Sequence, residues 1–180
     1  MSKILVITTS LRAKSNSDIL SEQLIAGATD AGHEVEHISL KDKEIKFCLG
    51  CLACQQTEKC VLKDDANKIA EKVKNADTLV FATPIYYYEM SGQMKTLLDR
   101  LNPLYPSDYR FRNIYMLTTA AEDEEKTPEK ALTGLRGWVD CFEKATLVDS
   151  LFCGGISDPG EAAIKKTALE KAYDFGKRIK

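Results

Sequence analysis

The chain of 180 residues contains no run approaching the roughly 20 apolar residues that span a bilayer. Its first strand-like run, Ile4-Leu5-Val6-Ile7, is too short for the core of a secretory signal, and polar Thr8, Thr9 and Ser10 follow it. A cytoplasmic location is the expectation. A basic excess is also missing: 25 Lys and Arg stand against 27 Asp and Glu, a net charge of −2. Nothing is left over to neutralise a nucleic-acid backbone or an anionic membrane surface. The phosphate fingerprints GxGxxG and GxxxxGK[ST] do not occur, which removes the Rossmann dinucleotide and P-loop readings. Only two histidines are present, His33 and His37, beside the second strand-like run. Neither has a nucleophile to serve, so a hydrolytic triad is not supported. No internal repeat, low-complexity tract or linker divides the chain.

What is present alternates. The 44% apolar content is enough for a substantial core. Strand-like runs at Lys3 to Thr9, Glu34 to Leu40, Thr78 to Thr83, Asn113 to Thr119 and Ala145 to Cys153 are separated by amphipathic stretches. Helix signals are placed to match. Gly32 stands where a C-terminal glycine ends the first helix; Asp64 or Asp65 caps the second, and Ser91 starts the third. Thr127-Pro128 opens the fourth, and Asp158-Pro159-Gly160-Glu161 reads as a capping box for the last. Five β-α units imply parallel strands joined by right-handed crossovers. The expected architecture is α/β: a flavodoxin-like, doubly wound five-stranded parallel sheet of order 2-1-3-4-5 with helices on both faces. One domain is expected over 1–180, with a Cys-rich insertion at about 45–63.

In that topology ligands bind beyond the carboxyl ends of the strands. The first such loop, Thr8 to Ser17, is dense in hydroxyls, carries Arg12 and Lys14, and opens a helix. Free N–H groups at a helix start form an anion site suited to a phosphate monoester, although Ser and Asn are also ordinary caps. The third loop holds Tyr86, Tyr87 and Tyr88 in a row after Pro84-Ile85. Three successive aromatics cannot all face the core, so a flat ligand or a subunit contact is expected there. After the fourth strand, the small residues from Thr119 and Ala120 permit close approach to backbone, and the acids Glu122 to Glu125 read as a solvated helix entry.

Four of the six cysteines, Cys48, Cys51, Cys54 and Cys60, fall within thirteen residues as C-x2-C-x2-C-x5-C. Compact thiolates of this kind can hold a four-iron cluster. Zinc more often uses two separated pairs, and free cysteines also serve as small buried hydrophobes. Cys141 and Cys153 read as core residues of a helix and a strand.

Thr9-Ser10-Leu11-Arg12-Ala13-Lys14-Ser15-Asn16-Ser17, then Pro84-Ile85-Tyr86, Ser91-Gly92-Gln93-Met94-Lys95 and Asp99-Arg100, together resemble the NADPH-dependent FMN reductase family and its relatives, the iron–sulfur flavoproteins. Thr9 stands where the family pattern has glycine. The resemblance implies FMN, with Ser10, Arg12, Asn16 and Ser17 around its phosphate, and Pro84, Ile85, Tyr86, Tyr87 and Tyr88 around its ring. Ser15 of the hydroxyl-rich loop, and Thr119 and Ala120 of the small-residue loop, are expected to line the same site. For the iron–sulfur flavoproteins the resemblance implies a [4Fe-4S] cluster on Cys48, Cys51, Cys54 and Cys60. The implied activity is electron transfer from NAD(P)H, as co-substrate, to a flavin, quinone or other small-molecule or protein acceptor. No catalytic side chain is implied, because the chemistry is carried by the flavin. A homodimer or homotetramer is expected, with the tyrosine loop near the contact. Two other functions fit the same fold: a single-electron carrier with FMN and a cluster, and a non-enzymatic interaction module.

Overall fold

The computed structural model describes Met1 to Lys180. Its elements are β1 (Lys3–Thr8), α1 (Asn16–Asp30), β2 (Glu34–Ser39), α2 (Cys54–Thr57), α3 (Asp65–Asn75), β3 (Thr78–Tyr86), β4 (Glu89–Met90), α4 (Gly92–Arg100), β5 (Asn113–Thr119), α5 (Glu129–Val139), β6 (Thr146–Cys153) and α6 (Lys166–Lys177), with 3-10 turns at Asn102–Leu104 and Glu161–Ile164. Five parallel strands lie in the order β2-β1-β3-β5-β6. This is the expected 2-1-3-4-5 sheet, with the short antiparallel β4 adding one to the later strand numbers.

The continuous apolar runs form central strands because both of their faces are covered. Leu5, Ile7, Leu79, Phe81, Ile114 and Met116 point to one face, where α3, α4 and α5 contribute Ile69, Val73, Met94, Leu97 and Leu135. The alternate residues Ile4, Val6, Val80, Tyr115 and Leu117 meet α1 and α6 through Leu20, Leu24, Ala28, Ala172 and Phe175. Each fully buried Leu or Phe contributes about 1.5–3 kcal/mol of transfer free energy. Helices α1 and α6 pack closely because glycines face the contact. A Cβ at Gly27 would overlap the Tyr173 carbonyl, and one at Gly176 the Leu24 carbonyl.

The termini of the elements follow local chemistry. Ser15, Asp64 and Ser91 accept N–H bonds from Asp18, Ala66 and Met94 as N-caps. Gly32, at φ +88°, follows the end of α1.

Four boundaries differ from those read in the sequence. Strand β3 continues past Thr83 to Tyr86 and turns back, pairing Ile85 with Met90 and Tyr86 with Glu89. The turn is made by Tyr87 and Tyr88 at φ 51° and 66°, the left-handed pair that a tight two-residue hairpin requires. Thr127 does not cap α5. Its N–H is committed to Glu124 in the preceding turn, Pro128 takes the cap position, and the Thr127 hydroxyl is buried without a partner. The Asp158–Glu161 box closes a 3-10 turn rather than opening α6: Glu161 accepts from the N–H groups of Ser157 (2.8 Å) and Asp158 (3.1 Å), while Asn16 takes the N–H of Ala162. Helix α6 begins only at Lys166. Finally, Cys141 lies just past the end of α5 and is exposed, so it is not a core residue, whereas Cys153 is buried.

Candidate functional site

The loops after β1, β3, β5 and β6 meet at one end of the sheet. Ser10, Arg12, Ser15, Asn16 and Ser17 line a crevice of about 260 Å³ together with Pro84, Ile85, Tyr86, Thr119 and Ala120. A second depression of about 220 Å³ holds Tyr87 and Tyr88, and Ile85, Ala120 and Ala121 line both. The two therefore form one trough, polar at the α1 end and aromatic at the hairpin. Every sequence-predicted residue of the three loops lies on it. The trough also includes Ala121 of the small-residue loop, and Glu122, Thr127, Ile156 and Ser157, which sequence reasoning did not place there. The available signal was Gly154-Gly155 after the last strand. Gly154 lets the Glu122 and Asp123 backbone approach so closely that a Cβ would collide with it.

The polar end is built around the start of α1. The N–H groups of Asn16 and Ser17, the first two of the helix, have no protein acceptor. They point out of the helix end, where the macrodipole favours an anion. Ser10, Ser15 and Ser17 are almost fully buried. Ser15 and Ser17 share a hydroxyl contact of 3.0 Å, and Ser10 accepts from the Arg12 N–H at 3.3 Å. Two of the predicted donors are already engaged. The Asn16 amide donates to the Asp158 carbonyl (2.9 Å) and accepts from the Ala162 N–H (3.0 Å). Arg12 donates to the Ser157 carbonyl at 2.6 Å. Asn16 thus fastens the β6 loop beside the polar end of the trough, and its side chain is not free for a ligand.

Thr9, which replaces the glycine of the family pattern, has ordinary negative φ, and its buried hydroxyl bonds to the Ala82 carbonyl and to Ser91, both at 3.0 Å. At the other end, Tyr86 is half exposed, Tyr87 projects fully into solvent, and Tyr88 donates to the Glu122 carboxylate at 3.1 Å. That bond and the Glu122 charge hold the Tyr88 phenol above its usual pKa, and Lys130 lies over its ring. Glu122 is therefore more than part of a solvated acidic entry. Burial raises the Asp18 pKa against opposing contributions from Thr8, His37 and Ser15. Burial also pushes the Cys153 thiol up to about 11, so it stays protonated and unreactive. His33 accepts from the Ser2 N–H, and His37 contacts Thr8.

All four clustered cysteines line a separate pocket. Cys54 is buried, Cys60 half-buried, and Cys48 and Cys51 exposed. No three His, Cys, Asp or Glu side chains stand at the spacing that holds a single metal ion. Gly50 at φ +64° and Leu52 at φ +56° fold the segment into a tight arm, the kind of backbone that turns successive N–H groups inward around anions and clusters. The Gly50 N–H donates to the Cys48 sulfur at 3.4 Å, and the Asn102 amide donates to the Cys54 sulfur at 3.1 Å. The pocket is floored by Arg100, whose guanidinium is wholly buried in a bidentate pair with Asp64 (2.6 and 2.9 Å) and also donates to the Lys46 carbonyl at 2.7 Å.

No helix is long and apolar enough to cross a membrane. Residues 2–150 match the family model described as NADPH-dependent FMN reductase. The chain is 37% identical over 102 residues to an iron–sulfur flavoprotein of Methanocaldococcus jannaschii, a match covering 57% of this chain and 53% of that protein. It is 26% identical over 161 residues to an iron–sulfur flavoprotein of Methanosarcina thermophila, covering 88% and 84%. The match to the first of these, as to several other curated relatives, spans about half of the relative's length. In fold the chain is similar to an NAD(P)H:quinone oxidoreductase from Methanothermobacter marburgensis, with a TM-score of 0.77 at 19% identity over 98% of this chain and 94% of that one. The matched segment runs through both loop motifs and four of the five parallel strands, and the chain belongs to the NADPH-dependent FMN reductase family.

Proposed function

We propose that the trough holds FMN and that the protein is an NAD(P)H-dependent oxidoreductase. The observation that carries this reading is the meeting of a buried hydroxyl loop and an aromatic hairpin in one trough beyond β1, β3 and β5. Its shape and donor set suit a ligand with a doubly charged phosphate at one end and a flat ring at the other. The N–H groups of Asn16 and Ser17 and the hydroxyls of Ser10, Ser15 and Ser17 would hold the phosphate. Arg12 adds charge, and Asn16 braces the loop from β6. Pro84, Ile85 and Tyr86 would wall the ring, Tyr87 and Tyr88 its outer edge, and Thr119 and Ala120 would let it approach the backbone. Held there, FMN would supply the hydride-accepting and electron-releasing chemistry between a reduced nicotinamide and an acceptor. The chain's own work is to position it and keep one face open. The acceptor class is a flavin, quinone or other oxidant.

The cysteine pocket favours a second reading, an iron–sulfur flavoprotein with a [4Fe-4S] cluster on Cys48, Cys51, Cys54 and Cys60. The donor set fits: four thiols on one pocket, two of them already receiving hydrogen bonds. The free space of that pocket is about 20 Å³, that of a water. We further propose one domain over 1–180 with the 45–63 segment as its insertion, and a homo-oligomer that uses the exposed tyrosine hairpin.

Anaerobic mixing of flavin-loaded protein with NADPH or NADH tests the activity. Rapid bleaching of the flavin band is expected for a reductase. Flavin that stays oxidised with both nucleotides yet accepts electrons from dithionite would leave an electron carrier instead.

A further inference from the structure

One polar atom near the cysteine pocket is left over. Arg100 is buried, and four of its five N–H groups sit on the two nitrogens that meet Asp64 and the Lys46 carbonyl. The fifth, on Nε, is buried and has no acceptor. An unmatched buried donor on a cation is costly, so its retention calls for an acceptor that arrives later. The same side chain lines the cysteine pocket, and Asn102, two residues on, already donates to Cys54. Cys60 lines that pocket together with Arg100.

We propose that Arg100 and Asn102 are positioning residues for the iron–sulfur cluster, donating to the ligating sulfurs of Cys60 and Cys54 and raising its reduction potential. The inference rests on the second reading above. Reduction adds one electron, and hence one unit of negative charge, to the cluster. A donor or a fixed cation beside its sulfurs stabilises the more negative form, and hydrogen bonds to the sulfurs are among the main determinants of potential. Asp64 does not cancel this effect by collapsing onto the cysteines, because its oxygens are committed to Arg100 and to the N–H groups of Lys46 (2.9 Å) and Ala66 (3.1 Å). The pair thus holds a cation at the pocket floor while tying the cysteine arm to α3 and α4.

The test uses full-length protein reconstituted anaerobically with ferrous iron, sulfide and FMN. Iron content is measured, and a potentiometric titration follows the cluster by electron paramagnetic resonance and the flavin by absorbance. Asn102→Leu removes a donor without unpairing a buried charge. It is expected to keep its iron and its flavin potential. At fixed solution potential, the reduced-to-oxidised ratio of its cluster should fall about tenfold, equivalent to about 59 mV for one electron. Arg100→Lys, which keeps the charge but lacks Nε, is expected to shift the same way. A fully loaded Asn102→Leu cluster with wild-type potential overturns the inference alone. So does loss of iron from that variant, which makes the contact one of assembly. Wild-type protein that binds FMN but takes up no iron overturns the cluster reading itself, and this inference with it.

Discussion

The hydroxyls of Thr9 and Ser91 lie 3.0 Å apart, both buried, and join the loop after β1 to the cap of α4. These residues are 82 positions apart in the chain and belong to the two separate sequence motifs. Thr9 also donates to Ala82 on β3, while Ser91 accepts from the Met94 N–H, and its own N–H bonds to the Thr83 hydroxyl. The contact ties the polar end of the trough to the segment that follows the hairpin. Thr9→Val keeps the shape but leaves the Ser91 hydroxyl short of a partner. It should cost about 1–3 kcal/mol, read as a lower urea midpoint at unchanged slope. A midpoint equal to wild type would show that the contact contributes nothing.

Asn16 and Ser17 should separate. Asn16 spends its amide on Asp158 and Ala162, so Asn16→Ala should lower the stability of the flavin-free protein. Ser17 contacts only the Ser15 hydroxyl through its own. Ser17→Ala gives up one contact where Asn16→Ala gives up two, so it should cost the flavin-free protein less and weaken FMN binding, because hydrogen bonds to a charged group are worth about 1.5–3 kcal/mol. Paired urea melts and FMN titrations measure both. The reverse pattern would contradict the geometry of the loop.

Helix packing gives a third expectation. Gly176→Ala places a methyl against the Leu24 carbonyl and should destabilise by about 1–3 kcal/mol or more through overpacking. Gly137, which has nothing near its missing Cβ, should accept Ala with no loss, or with a gain of up to about 1 kcal/mol. Thermal melts of the two variants check the contrast.

Asp77 provides a pH dependence. Its carboxylate accepts from the Lys3 N–H at 2.9 Å and from Arg110 at 2.6 Å. The Lys3 bond is the larger cause that holds its pKa below the usual value, with burial opposing and Arg110 assisting. A folded pKa below the unfolded one means that the stabilisation is fully present above about pH 4 and is lost as pH falls through the lower, folded value. Asp77→Asn should therefore be less stable than wild type at neutral pH and should lose less stability on acidification. Urea midpoints at pH 7 and below pH 4 test the sign.

The sheet order was legible in the sequence because the five apolar runs are continuous and each crossover carries a clear helix. The trough residues were legible because that topology directs a ligand to the loops after three particular strands. Other features depend on tertiary structure that no local pattern encodes. The commitment of Asn16 to the 158–162 turn arises only when β6 lies beside β5. Thr127 and Pro128 form a good local helix start, but Thr127 lies in the turn from Glu124 and its buried hydroxyl makes no capping bond. The Tyr87-Tyr88 turn was hidden because aromatic residues seldom adopt positive φ, so nothing in their composition signals a hairpin. The Arg100–Asp64 pair spans 36 residues and was visible only as a family signature and a helix cap.

The start of α1 is expected to bind a phosphate and the hairpin to wall a flavin ring. Titrating flavin-free protein with FMN and with riboflavin, followed by quenching of flavin fluorescence, tests it most directly. The two ligands share the ring and differ in the phosphate. FMN should bind at least about tenfold more tightly, since each tenfold is only about 1.4 kcal/mol and the site offers several donors to the charged group. Equal affinities, or no binding of either flavin by folded protein, would contradict the account.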